Sequence, residues 1–154
     1  MVGITTGESA LETPPLKSSR LYLTRALEGK AEVEEGDISF LLEKDISILI
    51  LANTQKLTES EEGDISSWVD RGGVLIRFPG EQTSAIPDSL LPVQIRSGDR
   101  SFGGSLSWDT PKTLAPFVNN SPFAGLNVPQ DIAIRRQLLA SPSIELENKT
   151  WARL

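Results

Sequence analysis

Residues 45–80 decide the fold class of this chain, and they read DISILILANTQKLTESEEGDISSWVDRGGVLIRFPG. Residues 46–51 form an apolar run of strand length, which is typical of a parallel strand covered on both faces. Thr58 and Glu61 have the spacing of a capping box, which predicts the start of a helix. The predicted buried stripe of this helix is Ile65, Trp68 and Val69. A glycine pair ends it and residues 74–78 form the next strand, so a right-handed crossover in a parallel sheet is predicted.

The chain before this stretch alternates between strand and helix patterns in the same way. The predicted elements are a strand over 2–6, a helix over 16–27 ended by Gly29, a strand over 31–34, and a helical turn capped by Asp37 that runs through Leu42. Together these elements predict an α/β fold with three layers, in which helices flank a mainly parallel sheet.

Charge and proline content change near Gly80. Residues 1–80 contain 14 acidic and 8 basic residues, whereas residues 81–154 contain 7 of each and 7 of the 10 prolines. Because proline is confined to sheet edges, turns and strand starts, short strands are predicted in the second part. They are 93–96, 105–108, 132–135 and, more weakly, 144–146, with a hairpin turn over 97–100. We therefore expect an α/β core over 1–80 and a β-rich C-terminal extension over 81–154, packed on the same domain.

The composition excludes many activities. The chain has no cysteine and no histidine, so it lacks a thiol nucleophile, a Ser-His-Asp triad and a conventional zinc site. Phosphate-binding and serine-nucleophile motifs are also absent, and no cofactor or metal is expected. A net charge of −6 argues against a nucleic-acid partner. No apolar run reaches the length of a membrane helix, so this segment is not expected to insert into a membrane.

Two groups of charged residues have alternative interpretations. Glu32, Glu34, Glu35 and Asp37 could hold Mg²⁺ or Ca²⁺, but alternating glutamates more often protect an exposed strand edge, which is the favoured interpretation. Arg77 lies within an apolar strand and needs a partner. A carboxylate that supports the fold is favoured over an anion bound at the carboxyl end of the strand.

The aromatic residues have similar alternatives. Trp68 and Trp108 are predicted to lie in the core. Phe102, Phe117 and Phe123 lie among glycines and prolines, and they either pack loops onto the sheet, which is the simpler account, or anchor a partner domain.

The order of strand, capped helix, WVDRGG and strand resembles a unit of class I glutamine amidotransferase-like domains, which are flavodoxin-like. Over most of its length, the chain resembles the middle soluble segment of large bacterial membrane proteins of unknown function that have an aerotolerance-type amino-terminal region. The residues that carry this likeness are 22–27, 68–73, 91–93, 103–108 and 135–137. The resemblance implies a soluble segment excised from a bacterial inner-membrane protein, on the periplasmic side. The implied partners are other domains of the same parent protein or a membrane-associated protein.

The chain departs from the amidotransferases at the catalytic centre. Those enzymes place a cysteine on a turn after a sheet strand, where this chain has Pro79, Gly80 and Glu81, and it has no histidine to activate a thiol. The expected function is therefore that of a non-catalytic structural or interaction domain, a pseudoenzyme rather than an enzyme. The alternative is a binding domain for a small anion or sugar in the degenerate cleft, with Arg77, Gly80 and Glu81 as the ligand-binding residues. A hydrolase that uses a pair of carboxylates is held last, because no spacing points to a specific pair.

Overall fold

A computed structural model of the chain describes residues 1–6, 18–53, 56–78, 89–96, 105–129 and 131–154. The chain divides into two compact units, Met1–Leu91 and Pro92–Leu154. The predicted boundary at Gly80 falls within residues 79–88, which lie outside the described ranges.

The first unit is a parallel sheet with helices in its crossovers. In chain order its elements are β1 (Val2–Thr6), α1 (Ser19–Leu27), β2 (Val33–Glu35), α2 (Ile38–Leu42), β3 (Ile48–Ala52), α3 (Glu59–Asp70) and β4 (Val74–Phe78). The strands pair in the order β2-β1-β3-β4, and every pair is parallel. The predicted α/β class with a mainly parallel sheet is therefore confirmed.

Apolar side chains from alternate positions of the strands form two clusters. One contains Leu49 and Leu51 of β3 together with side chains of α2 and α3, among them Leu41, Ile65 and Trp68. The other contains Val2 and Ile4 of β1 with Ile50 of β3, and Leu23 and Leu27 of α1 pack against it. Because successive strand residues point to opposite faces, β3 contributes to both clusters, which explains its continuous apolar sequence.

Helix α3 begins at the predicted capping box. The Glu61 amide donates to the Thr58 hydroxyl over 3.2 Å, and the Thr58 amide donates to the Glu61 carboxylate over 2.8 Å. Ile65 and Trp68 are buried as predicted, but the prediction for Val69 was wrong, because its side chain is 37% exposed. At 100° per residue, the buried arc centred between Ile65 and Trp68 leaves Val69 on the flank of the helix.

The second unit contains a small antiparallel sheet. β5 (Ser105–Lys112) pairs with β6 (Ile134–Leu138), and Ile95 forms an isolated bridge with Ala140. The predicted pairing of 93–96 with 105–108 in a hairpin was wrong for the described residues, since β5 pairs with β6 instead, and the turn at 97–100 is not described. The β5–β6 register shifts between Ser107 and Lys112, where Pro111 has no amide hydrogen to donate.

The predicted strand over 144–146 was also wrong. Residues 144–149 form turns, in which the Lys149 amide donates to the Glu145 carbonyl, and Ile144 is fully exposed. Among the described residues of the second unit no hydrophobic side chain is fully buried, in contrast to the dense core of the first.

Candidate functional site

The structure describes one of the three residues predicted to bind a ligand. Arg77 lies in β4 opposite Leu51 of β3, is partly buried, and makes an interaction within the chain. Gly80 and Glu81 lie outside the described residues. The site made of these three residues therefore stays a prediction.

The strand order places the crevice of the sheet between β1 and β3, whereas β4 is the last strand of the described sheet. The connection from β1 leads to β2 on one side, and the next connection crosses back to β3 on the other side. In open α/β sheets a ligand binds outside the carboxyl ends of the strands where the order reverses in this way. The described residues at those ends are Thr6 and Asn53.

Asn53 has two unusual features at this position. Its φ is +48°, in the left-handed region that asparagine tolerates better than most residues, and its amide donates to the Phe78 carbonyl over 2.9 Å. Its side-chain Oδ1 is buried and accepts no hydrogen bond from the described part of the chain. Backbone strain together with an unsatisfied buried acceptor is a combination found at binding sites. An asparagine directly after an apolar strand was the sequence signal that could have found it.

The amino terminus of α3 does not offer an anion site. Glu59, Glu61 and Glu62 occupy its first turn, and carboxylates there already complement the helix dipole. Glu61 completes the capping box, and Glu62 accepts a hydrogen bond from the Ser89 hydroxyl over 2.9 Å. These contacts disfavour an anion among the small ligands considered for the cleft.

The acidic residues near β2 lie at the opposite edge of the sheet. Glu35 accepts a hydrogen bond from the Thr24 hydroxyl over 2.9 Å and lies 3.5 Å from the Arg20 guanidinium. Among the described residues no three acidic side chains are grouped so that they could hold a metal ion. β2 is an edge strand, as the protective interpretation of its glutamates requires. Asp37 lies at the amino-terminal cap of α2, as predicted, but its side chain makes no capping hydrogen bond.

An apolar stripe on β4 is the least covered part of the sheet. Val74, Ile76 and Phe78 are 51%, 37% and 51% exposed. They lie in register with Ile48, Ile50 and Ala52 of β3. They are therefore on the same sheet face as α1, which packs over β1 and β3. Leu75 points to the other face and is the one residue of β4 that packs against the cluster covered by α2 and α3.

The two edges of the described sheet differ in how they are protected. β2 is three residues long, and two of its three residues are acidic. A short strand and charged side chains both disfavour pairing with another chain. β4 is five residues long, contains no proline or acidic residue, and has one charged residue, Arg77, at a position that alternates with those of the apolar stripe. An apolar strand of this kind is a surface to which another element can bind.

The second unit contains a cleft of about 460 Å³, lined by Trp108, Gln137 and Arg153 among others. The Trp108 indole donates to the Gln137 side chain over 3.0 Å, and the Lys112 ammonium lies 5.0 Å from the centre of the indole ring. Trp108 is partly exposed, so the prediction that it lies in the core was wrong. The polar groups of this cleft already pair within the unit, since Trp108 bonds to Gln137 and Arg153 bonds to Glu147. Asn53 is therefore the stronger ligand-binding candidate, because its side-chain Oδ1 is buried and accepts no hydrogen bond from the described residues.

The phenylalanines of the second unit pack with one another. The ring centroids of Phe117 and Phe123 are 5.4 Å apart, and Phe123 meets Trp151 edge-on at 6.3 Å. These contacts favour loop packing over an anchor for these two rings, whereas Phe102 lies outside the described residues.

No protein-family model, curated protein or solved structure matches this chain. The likeness to amidotransferase-like domains therefore rests on the sequence motifs alone. None of the described helices has the length and apolar character needed to cross a membrane.

Proposed function

We propose that this chain is a non-catalytic structural or interaction domain of a larger, membrane-anchored bacterial protein. In this proposal it has a three-layer, amidotransferase-like fold without the catalytic triad and lies on the periplasmic side of the inner membrane. Its partners are other domains of the parent protein or a membrane-associated protein.

The observation that carries the proposal is the exposed stripe of Val74, Ile76 and Phe78 on β4. A parallel sheet is normally covered on both faces, and burying an aliphatic or aromatic side chain contributes roughly 1.5–3 kcal/mol. Burying the exposed parts of these three side chains against a partner would therefore contribute several kcal/mol to the free energy of binding, at about 1 kcal/mol for each half-exposed side chain. The absence of cysteine and histidine supports the non-catalytic part of the proposal.

Photo-cross-linking tests the interaction. A photoreactive amino acid at position 76 in the parent protein is expected to give a discrete cross-linked product, whose second component is identified by mass spectrometry and cross-links again when purified. Position 69 is the matched control, because Val69 is also 37% exposed but lies on α3. Equal cross-linking at positions 69 and 76, or none at 76, would contradict the proposal.

A separate assay tests the absence of catalysis. The purified chain is expected to release no ammonia from glutamine and to hydrolyse no ester, amide or glycoside substrate above the rate of a Glu81→Gln variant. Turnover that the Glu81→Gln substitution reduces would show that the chain is an enzyme.

A small-ligand binding function is the second candidate, and Asn53 favours it. The buried Oδ1 accepts no hydrogen bond from the described residues, and the amino terminus of α3 is occupied by its own carboxylates. The ligand that suits this end of the sheet is therefore one with hydroxyl or amine donors, such as a sugar, rather than an anion. A sugar that raises the melting temperature of the chain, but not that of an Asn53→Gly variant, would support this function. Glycine adopts the positive φ without strain and removes the side-chain carboxamide, including the buried Oδ1.

A further inference from the structure

We draw no further inference here: the strongest candidate, the exposed apolar face of β4 that Val74, Ile76 and Phe78 form, already carries the proposed function, and nothing in the described part of the chain shows what covers it.

Discussion

Gly73 lies directly against the indole ring of Trp68, and this contact predicts what an added methyl group would do. A Cβ built at Gly73 would lie 2.4 Å from two ring carbons of Trp68 and 2.6 Å from a third. Carbon atoms in contact are normally about 3.5–4.0 Å apart, so the ring or the start of β4 must move by about 1 Å. Trp68 is buried in the cluster formed with α2 and β3, which leaves the ring little room to move.

The expected effect of Gly73→Ala is the difference between two opposing terms. Overpacking a filled core costs about 1–3 kcal/mol, and the smaller entropy of the unfolded alanine chain returns about 0.4–1 kcal/mol. We therefore expect the free energy of unfolding to fall by about 1–2 kcal/mol. With a urea dependence of 1–3 kcal/mol per molar, the unfolding midpoint should fall by about 1 M.

Gly63 is the matched control, because Gly63→Ala is the same chemical change in the same unit. Gly63 lies exposed within α3, and a Cβ there would meet no other atom within 4 Å. Alanine is favoured over glycine in a helix by about 1 kcal/mol, so Gly63→Ala should stabilise the chain. The two variants should therefore differ by about 2–3 kcal/mol in urea unfolding followed by circular dichroism. Equal midpoints for the two variants would refute the contact between Gly73 and Trp68.

Three further substitutions test the core, the helix cap and the candidate site by the same urea unfolding. Leu49→Ala removes a fully buried side chain and should lower the free energy of unfolding by about 2–5 kcal/mol; a loss below 1 kcal/mol would contradict its burial. Thr58→Ala removes the cap of α3 and should cost about 1 kcal/mol, which Thr58→Ser should largely restore. Asn53→Gly should be neutral or stabilising, because it relieves strain at positive φ and removes an unsatisfied acceptor, whereas Asn53→Ala should be the less stable of the two.

The parts of the fold that local sequence determines were predicted well. The capping box at Thr58 and Glu61 uses residues three apart, and its hydrogen bonds form as the spacing requires. The strand over 74–78 agrees with β4, because Gly72 has a φ of +102° that ends the helix just before it and Gly73 admits the Trp68 ring. Each of these features depends on neighbours within a few residues, so the sequence contains the information needed to predict it.

The features that were predicted wrongly depend on distant parts of the chain. The partner of β5 is β6, more than 20 residues further along, and the nearer strand candidate at 93–96 looked equally suitable. Val69 has the apolar character of Ile65, but the direction from which the sheet meets α3 leaves it exposed. Asn53 was missed because its strain and its buried oxygen are properties of the folded backbone.

The exposed stripe of β4 shows the same limit at the point where function is proposed. β3 reads ILILA and β4 reads VLIRF, and both strands are mostly apolar. β3 is covered because strands pair on both of its sides and helices contact both of its faces, whereas β4 is the last described strand and lies beyond the reach of α1. Ile76 is therefore exposed because β4 pairs with one described strand only and α1 does not cover it, and not because its side chain is less apolar than those of β3. An apolar strand that the described fold leaves partly uncovered is therefore where we expect a partner to bind.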